Sequence, residues 1–420
     1  MEDKKYTFID LFAGCGGLSE GFLETGKFTG LAHVEWETPM VNTLRQRLMD
    51  KWGHSKDETK KRVIKFDIQK TDELIHGNWS DETKKIYGKE NHEDVISKGL
   101  CGLIGNENVD LVIGGPPCQA YSIAGRVRSE NGMKDDYRNY LFESFVKVVD
   151  FFKPKMFVFE NVMGILSACP NDEPILERIY ESFQNIGYDI RKPHDMKLSV
   201  YNSDDFGVPQ KRRRVIIIGV KNDVDFTFDD IYQSIDNHKI KTPHKTVKDA
   251  IGNLPKLYPL ETPYKNGRQN ISHHQVDTDN RNVIWHVPRY HSKRDQSIFK
   301  EWIEKNMNKS PKQEQIDFYY KKTGHTTNFM RYRNLEWDKP SPTIVAHLKT
   351  DGYTFIHPDP NQSRSITVRE AALLQSFPMD YNFIGSMGYC FKMIGNAVPV
   401  LLAKNIAESV YDVLIQKKLF

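Results

Sequence analysis

The sequence predicts an α/β fold in which a doubly wound, mostly parallel sheet is accompanied by a smaller, irregular second domain. Short runs rich in β-branched residues alternate with helical patterns through residues 7–220. Such alternation is typical of a parallel sheet with helices on both faces. From about residue 223 the apolar periodicity weakens, and Pro, Asn, His and aromatic residues are mixed with charge. Because ligands bind at the carboxyl ends of parallel strands, we expect a site at that edge of the sheet.

Five strands and five helices carry this prediction. The predicted strands are 7–10, 31–35, 111–113, 156–160 and 214–219. The predicted helices are 18–24, 139–152, 175–186, 367–375 and 398–415. The last two helices follow the irregular segment, so the chain is expected to return to its first domain. The predicted domains are 1–222 with 363–420, and 223–362 for the second domain. Residues 51–108 are interpreted as a charged surface insertion with one or two helices.

Composition narrows the class of protein. The chain has 420 residues, 39% hydrophobic and 27% charged, which is ordinary for a soluble globular protein. It has no apolar run of about 18 residues and no signal-peptide core, so neither a membrane span nor secretion is predicted. The five cysteines are scattered without a CxxC pair, which favours a reducing cytoplasm and argues against zinc or a disulfide framework. A net charge of +3 permits nucleic-acid binding without requiring it.

A Gly-Gly-Pro-Pro-Cys-Gln run at 114–119 places a thiol just beyond a predicted strand. The two prolines fix φ and remove two N–H donors, so the loop that carries Cys118 is stiff. Stiffness suits a nucleophile that must be placed accurately. A buried structural cysteine is the alternative, since free cysteine usually behaves as a small hydrophobe.

A glycine-rich turn at 12–17 joins the first strand to the first helix, and Glu35 ends the second strand. Glycines allow close approach of a ligand to the backbone, and a carboxylate about 20 residues later suits ribose hydroxyls. Together they predict a cofactor of the adenosine type. Trp36 is expected to stack on the adenine and Asp67 to lie near its amino group, although Asp67 alone could be a helix cap.

Two further groups of polar residues lie at predicted strand ends. Glu160 closes the strand 156–160, where a carboxyl group can act in proton transfer, or can simply be a surface glutamate. Gln210, Arg212 and Arg214 alternate along an extended run and therefore share one face. Their arginines suit a phosphate or a base carbonyl, although a solvated basic run is the usual alternative.

In this order, the motifs resemble those of the bacterial cytosine-C5 DNA methyltransferases of restriction-modification systems. The resemblance also includes a Thr-Val-Arg-Glu-Ala-Ala run at 367–372, a Gln-Ser-Phe-Pro run at 375–378 and a Gly-Asn-Ala-Val-Pro run at 395–399. It covers the chain except for 51–108 and most of the second domain. It implies a Rossmann-like sheet of the S-adenosylmethionine methyltransferase type.

The resemblance implies functions for individual residues. Cys118 would attack C6 of cytosine, Glu160 would hold or protonate N3, and Arg214, with Arg212, would place the base. The implied catalytic residues are Cys118, Glu160, Arg212 and Arg214. The implied S-adenosylmethionine-binding residues are Asp10, Phe12, Ala13, Gly14, Gly16, Gly17, Glu35, Trp36, Asp67, Ile68, Pro117, Leu141, Asn396 and Ala397. The implied substrate-binding residues are Gln119, Ser122, Asn161, Val162, Gln210, Arg331, Arg333, Thr343 and Ile344. No metal is implied.

The substrate implied by the resemblance is double-stranded DNA with the cytosine flipped out of the helix. The loop 120–136 would close over that base. The second domain, which leans basic over 270–349, would be a target-recognition domain that reads base edges. A separately encoded restriction endonuclease is a candidate partner, and we expect a cytoplasmic, nucleoid-associated monomer.

Three other functions compete with this one. A structured RNA such as tRNA could replace DNA as substrate, but the long basic second domain favours duplex DNA. A non-catalytic DNA-binding module would not need Cys118, Glu160 and Arg214 together. A nicotinamide-dependent oxidoreductase conflicts with the glycine spacing.

Overall fold

A mixed sheet forms the centre of the first part of the chain. A computed structural model describes residues 5–117, 141–170, 173–242, 244–267, 269–276 and 282–416. The strands of its main sheet are β1 (Tyr6–Leu11), β2 (Phe28–Glu35), β3 (Val63–Lys65), β4 (Leu111–Gly114), β5 (Met156–Asn161), β6 (Tyr188–Ile190), β7 (Val200–Asn202) and β8 (Arg213–Lys221). They lie in the order β3-β2-β1-β4-β5-β8-β6, with β7 paired to β8.

The directions of these strands define the edge at which a site can form. Strands β3, β2, β1, β4 and β5 are mutually parallel, whereas β8 runs antiparallel to β5. The carboxyl ends of the five parallel strands and the start of β8 therefore lie at one edge. The predicted fold class, a mostly parallel doubly wound sheet, is confirmed.

Helices flank this sheet and build much of the remaining described chain. They are α1 (Gly17–Glu24), α2 (Thr38–Asp50), α3 (Lys56–Arg62), α4 (Thr71–His76), α5 (Asp81–Tyr87), α6 (Glu93–Ile104), α7 (Leu141–Phe152), α8 (Ile175–Asn185), α9 (Phe228–Asn237), α10 (Val247–Ile251), α11 (Lys293–Glu304), α12 (Lys312–Thr323), α13 (Val368–Leu374), α14 (Met387–Asn396) and α15 (Val400–Gln416). Two further strands, β9 (Lys256–Asn266) and β10 (Gln269–Val276), form an antiparallel pair.

The chain divides into two compact units. The first comprises 1–206, 213–241 and 397–420, and the second comprises 207–212 and 242–396. Helix α9 belongs to the first unit, where the Tyr232 hydroxyl bonds main-chain atoms of Ile216 and Ile218 in β8. The sequence analysis began the second domain at residue 223 and ended it at residue 362. In the structure, the main part of the second unit begins at residue 242 and continues to residue 396.

The interpretation of 51–108 as a surface insertion with one or two helices is wrong. The segment supplies β3 to the main sheet and four helices, α3 to α6. It also buries apolar side chains in the core of the first unit, including Phe66, Leu74 and Trp79. Because its helices are short and carry many charged residues, composition alone concealed this contribution to the core.

The outer edge of β3 is covered by side chains. The Asn91 side chain accepts a hydrogen bond from the Lys65 amide and donates one to the Lys65 carbonyl, both at 2.8 Å. The Arg45 guanidinium donates to the Val63 carbonyl at 2.6 Å. These side chains occupy main-chain groups of β3 that a further strand would otherwise pair with. They therefore protect the edge of the sheet from association with other chains.

Candidate active site

The carboxyl-terminal edge of the sheet gathers predicted residues of the first unit. Leu11 at the end of β1 is opposite Val34 in β2 and Gly114 in β4. Glu160, near the end of β5, is opposite Ile216 in β8. This register brings the glycine-rich turn, the end of β2, the Gly-Gly-Pro-Pro run and the end of β5 to one edge, as expected for parallel strands.

The glycine-rich turn between β1 and α1 has the conformation that its residue types favour. Gly14 and Gly16 have φ of 59° and 90°, and Gly16 is the N-cap of α1. Phe12 also has a positive φ, 61°, which is uncommon for a residue with a side chain. The Ala13 amide donates to the Val34 carbonyl at 3.0 Å, which fixes the turn against β2.

Glu35 is held by main-chain donors. One carboxylate oxygen accepts from the Gly14 amide, and the other accepts from the amides of Trp36 and Glu37, each at 2.8 Å. Burial raises the pKa of Glu35 above its ordinary value, while these hydrogen bonds oppose that shift. Glu35 therefore joins the glycine turn to the end of β2, a structural function that sequence reasoning missed.

A buried polar cluster lies beside the turn. The Ser19 hydroxyl bonds the carboxylate of Asp10 and, at 2.8 Å, Nδ1 of His33. Burial raises the pKa of Asp10 to about 7 and lowers the pKa of His33 to about 3. The other oxygen of Asp10 is buried without a hydrogen-bond partner among the described residues. Ser19 and His33 were not predicted, because no sequence motif singles them out.

The other predicted cofactor residues of the first unit differ in exposure. Trp36 is exposed, with 51% of its surface accessible, whereas Ile68 and Leu141 are buried. The Asp67 carboxylate accepts from the Gln69 amide at 3.1 Å and so stabilises a local turn. Ala397 is half-buried, shortly before α15.

The Gly-Gly-Pro-Pro run approaches Glu160 closely. A Cβ atom on Gly115 would lie 2.8 Å from a carboxylate oxygen of Glu160, so any larger residue there would displace the carboxylate. The Asn161 side chain donates to the Pro116 carbonyl at 3.4 Å, and its oxygen accepts from the Val162 amide. Pro117 ends the described segment, and the predicted residues Cys118, Gln119 and Ser122, with the loop 120–136, lie outside the described residues.

Glu160 and Arg214 form an ion pair at this edge. Nε of Arg214 lies 2.7 Å from a carboxylate oxygen of Glu160, and each side chain is 12% exposed. The two residues come from the neighbouring strands β5 and β8. A charged pair that retains slight exposure can bind and orient a polar substrate group.

Gln210 and Arg212 have different surroundings, within the second unit. Arg212 donates to the carbonyls of Ile344 and Gly395 at 2.8 and 2.9 Å, and its side chain is buried. The Gln210 side chain accepts from the Ile344 amide at 2.9 Å. The structure therefore gives Arg212 and Arg214 separate partners, although the alternating pattern suggested a shared function.

The remaining predicted residues of the second unit lie on its surface or in its core. Ile344 is fully buried, and the Thr343 hydroxyl donates to the Lys211 carbonyl at 2.7 Å. The Arg331 guanidinium lies over the rings of Phe329 and Tyr319, at 5.3 and 5.9 Å. Arg333 and Asn396 are exposed.

The described part of the chain has neither a metal-binding cluster nor a membrane-spanning helix. No group of three or more His, Cys, Asp or Glu side chains within it is arranged to hold a metal ion. None of the helices in those ranges combines the length and apolar character that crossing a bilayer requires.

Comparison with solved structures shows which known fold the chain adopts. The chain is similar to an E. coli prophage protein described as a DNA modification methyltransferase, with TM-score 0.62, 23% identity and coverage of 98% of this chain and 100% of that one. It also resembles the S. pombe Dnmt2 methyltransferase, with TM-score 0.51, 13% identity and coverage of 99% and 100%. The fold is thus that of methyltransferases.

Sequence comparison gives the family. The C-5 cytosine-specific DNA methylase family matches residues 6–79 and 78–412, and the chain belongs to this family of DNA cytosine-5 methyltransferases. It is 34% identical to the type II methyltransferase M.Bpa9945I of Bacillus paralicheniformis, over 97% of this chain and 98% of that protein. It is 33% identical to M1.HphI of Haemophilus parahaemolyticus, over 96% and 86%. The family resemblance predicted from the motifs is confirmed.

Proposed function

We propose that the protein methylates C5 of a cytosine flipped out of a specific duplex DNA sequence, through a covalent bond between Cys118 Sγ and C6. The observation that carries this proposal is the Glu160–Arg214 ion pair, which lies beside the Gly-Gly-Pro-Pro run that leads to Cys118. A cytosine inside a duplex cannot reach this edge without leaving the base stack.

The residues around the glycine turn fit S-adenosylmethionine. Open space adjoins the turn, since a Cβ on Gly14 would meet no atom within 4 Å. The unpartnered Asp10 oxygen and the exposed ring of Trp36 offer an acceptor and a stacking surface. The Glu35 oxygen that accepts from the Gly14 amide has a second lone pair, which can accept from a ribose hydroxyl. The cofactor supplies an electrophilic methyl group when it is bound.

The residues of the chain divide the chemistry between them. The Cys118 thiolate adds to C6, and a proton shared with Glu160 at N3 neutralises the charge that develops on the ring. Arg214 holds the Glu160 carboxylate in place. Once C5 carries the methyl group, a base would remove the C5 proton, and elimination across C5 and C6 would release Cys118 as a thiolate while the N3 proton returns to Glu160.

A direct assay tests the proposed function. The purified protein is incubated with methyl-labelled S-adenosylmethionine and either duplex DNA or tRNA, and nucleosides are analysed by mass spectrometry. We expect labelled 5-methylcytosine from DNA only. Label in tRNA alone would reassign the substrate, and label in neither would exclude catalysis by this chain under conditions in which it binds cofactor.

We further propose a function in restriction-modification, as a monomer whose partner nuclease is encoded separately. The relatives named as type II methyltransferases support this proposal. DNA from cells that express the protein should resist the nuclease that recognises the methylated sequence. Analytical ultracentrifugation of the protein mixed with a duplex that contains one recognition sequence should show one protein molecule bound to each duplex.

Glu35→Gln is expected to weaken cofactor binding at least about tenfold, the effect of losing a hydrogen bond to a charged group. In the wild type, both carboxylate oxygens of Glu35 accept hydrogen bonds from main-chain N–H groups. The NH2 group of glutamine can only donate, so it cannot replace one of these oxygens, and a main-chain N–H loses its acceptor. Isothermal titration with S-adenosylmethionine measures the change. Glu37→Gln is the neighbouring control, and equal weakening in both variants would contradict the special function of Glu35.

Arg214→Ala is expected to lower kcat by about 10²–10³-fold, the usual cost of losing one group that stabilises developing charge. The Glu160 carboxylate would lose the partner that orients it. Initial rates of methyl transfer to DNA measure kcat. Arg213→Ala is the matched control, because Arg213 begins the same strand but is exposed. Similar decreases of kcat in both variants would show that the Glu160–Arg214 ion pair is not required for methyl transfer.

A further inference from the structure

One segment of the second unit presents alternate side chains to solvent. Between Ile344 and Thr350, the side chains of Val345, His347 and Lys349 are exposed, whereas Ile344 and Leu348 are buried. We call 345–350 the presenting segment. His347 and Lys349 can donate to base edges or phosphates, which are the groups that a DNA-reading surface must contact.

The beginning of this segment is fixed from one side. The Gln210 side chain accepts from the Ile344 amide, and Arg212 donates to the Ile344 carbonyl. Helix α14 lies close behind it, since a Cβ atom on Gly395 would be 2.3 Å from the Ala346 nitrogen. These contacts leave the first residues of the presenting segment little freedom.

The end of the segment is held by Arg289. Its guanidinium donates to the carbonyls of Leu348 and Lys349, the latter at 3.3 Å, and lies 4.6 Å from the ring centroid of Phe391 in α14. Nε of Arg289 is buried without a hydrogen-bond partner among the described residues. Burial also lowers the pKa of Arg289. A desolvated donor without a partner costs stability, which the two carbonyl hydrogen bonds and the contact with Phe391 must offset.

We propose that Arg289 is a positioning residue for DNA recognition, which fixes the presenting segment so that His347 and Lys349 face the DNA. This inference rests on the proposed function. Arg289 acts through two main-chain carbonyls and is not proposed to contact the reacting cytosine. Without it, both carbonyls lose a charged donor and the segment gains conformations in which His347 points elsewhere.

Arg289→Ala tests the inference. We expect the KM for DNA to rise about tenfold or more, as for loss of hydrogen bonds to a charged group. The kcat at saturating DNA and the Kd for S-adenosylmethionine should stay within about twofold of the wild type, and sequencing of methylated DNA should reveal a more degenerate target. Arg289→Lys keeps the charge but loses the two-pronged donor. Its KM for DNA should therefore lie between those of the wild type and Arg289→Ala. Arg294→Ala, which removes an exposed arginine of α11, is the control.

A double-mutant cycle separates positioning from general destabilisation. His347→Ala should weaken DNA binding in the wild type but have little further effect in the Arg289→Ala protein. Independent effects of the two substitutions would overturn the inference, as would an unchanged KM and target. If Arg289→Ala does not fold, the cycle is run with Arg289→Lys.

DNA binding measured without cofactor distinguishes this inference from the proposed function. A wild-type protein that binds DNA without methylating it counts against the proposed function. An Arg289→Ala protein that binds and methylates the target as the wild type does counts against this inference.

Discussion

Replacing Cys118 with serine is expected to reduce methyl transfer to DNA by about 10⁴-fold or more, as for loss of other enzymatic nucleophiles. A serine hydroxyl ionises far less readily than a thiol and cannot supply the same nucleophile at neutral pH. Cofactor binding should be unchanged, because the glycine turn and Glu35 are positioned without Cys118. Rates with labelled S-adenosylmethionine and titration of the cofactor measure the two quantities.

Cys169→Ser is the control for this experiment, because Cys169 is an exposed free thiol. It should methylate DNA at the wild-type rate. The wild type should also form a covalent complex with DNA that contains 5-fluorocytosine, since fluorine at C5 blocks the elimination that releases the thiolate. A Cys118→Ser protein that produces 5-methylcytosine normally would refute the covalent mechanism.

Glu370→Ala is expected to destabilise the protein by about 3–5 kcal/mol, the range for removing one partner of a buried ion pair. Both Glu370 and Arg364 are about 1% exposed, and two 2.7 Å hydrogen bonds join them. Glu370 also accepts from the Thr367 amide at the start of α13, so one of the two hydrogen bonds of the helix cap is lost as well. Urea unfolding followed by circular dichroism measures the change.

Glu336→Ala is the matched control for Glu370→Ala. Glu336 is half-buried and pairs with the exposed Lys339, so its loss should cost about 1 kcal/mol or less. Equal destabilisation by the two substitutions would contradict the importance of burial.

The contribution of Glu370 should depend on pH. The Arg364 guanidinium holds the pKa of Glu370 well below its ordinary value of 4.5, against the opposing effect of burial. A carboxyl group whose pKa is depressed by folding stabilises the protein above its ordinary pKa, and this stabilisation is lost as pH falls below it. The stability difference between wild type and Glu370→Gln should therefore narrow below about pH 4.5.

The sequence was sufficient to predict a mostly parallel sheet and five of the eight strands of the described main sheet. Strand ends are marked locally by Gly, Pro or a polar residue after an apolar run, and parallel strands bring those ends together. The Glu160–Arg214 pair does not follow from parallel strand ends, because β8 runs antiparallel to β5 and Arg214 lies at its start. The burial contributed by 51–108 did not follow, because short helices with many charges give little periodicity.

The functions of two arginines could not be predicted, because their hydrogen-bond partners lie far away along the chain. Arg212 looked like a ligand-binding cation, but its hydrogen-bond partners lie 132 and 183 positions away along the chain. Arg289 has no motif, and its partners lie 59 and 60 positions away. No local pattern identifies such pairs, so a basic residue in sequence does not reveal whether it binds a ligand or a main-chain carbonyl.

The covered edge of β3 has a consequence for synthesis of the protein. Strands β1, β2 and β3 leave the ribosome before Asn91, which follows Lys65 by 26 residues. Arg45 is made before β3, but at about 5–20 residues per second the outward main-chain atoms of Lys65 wait roughly 1–5 s for Asn91 to be made. We therefore expect a nascent chain that ends before Asn91 to associate through the edge of β3 more readily than one that includes it.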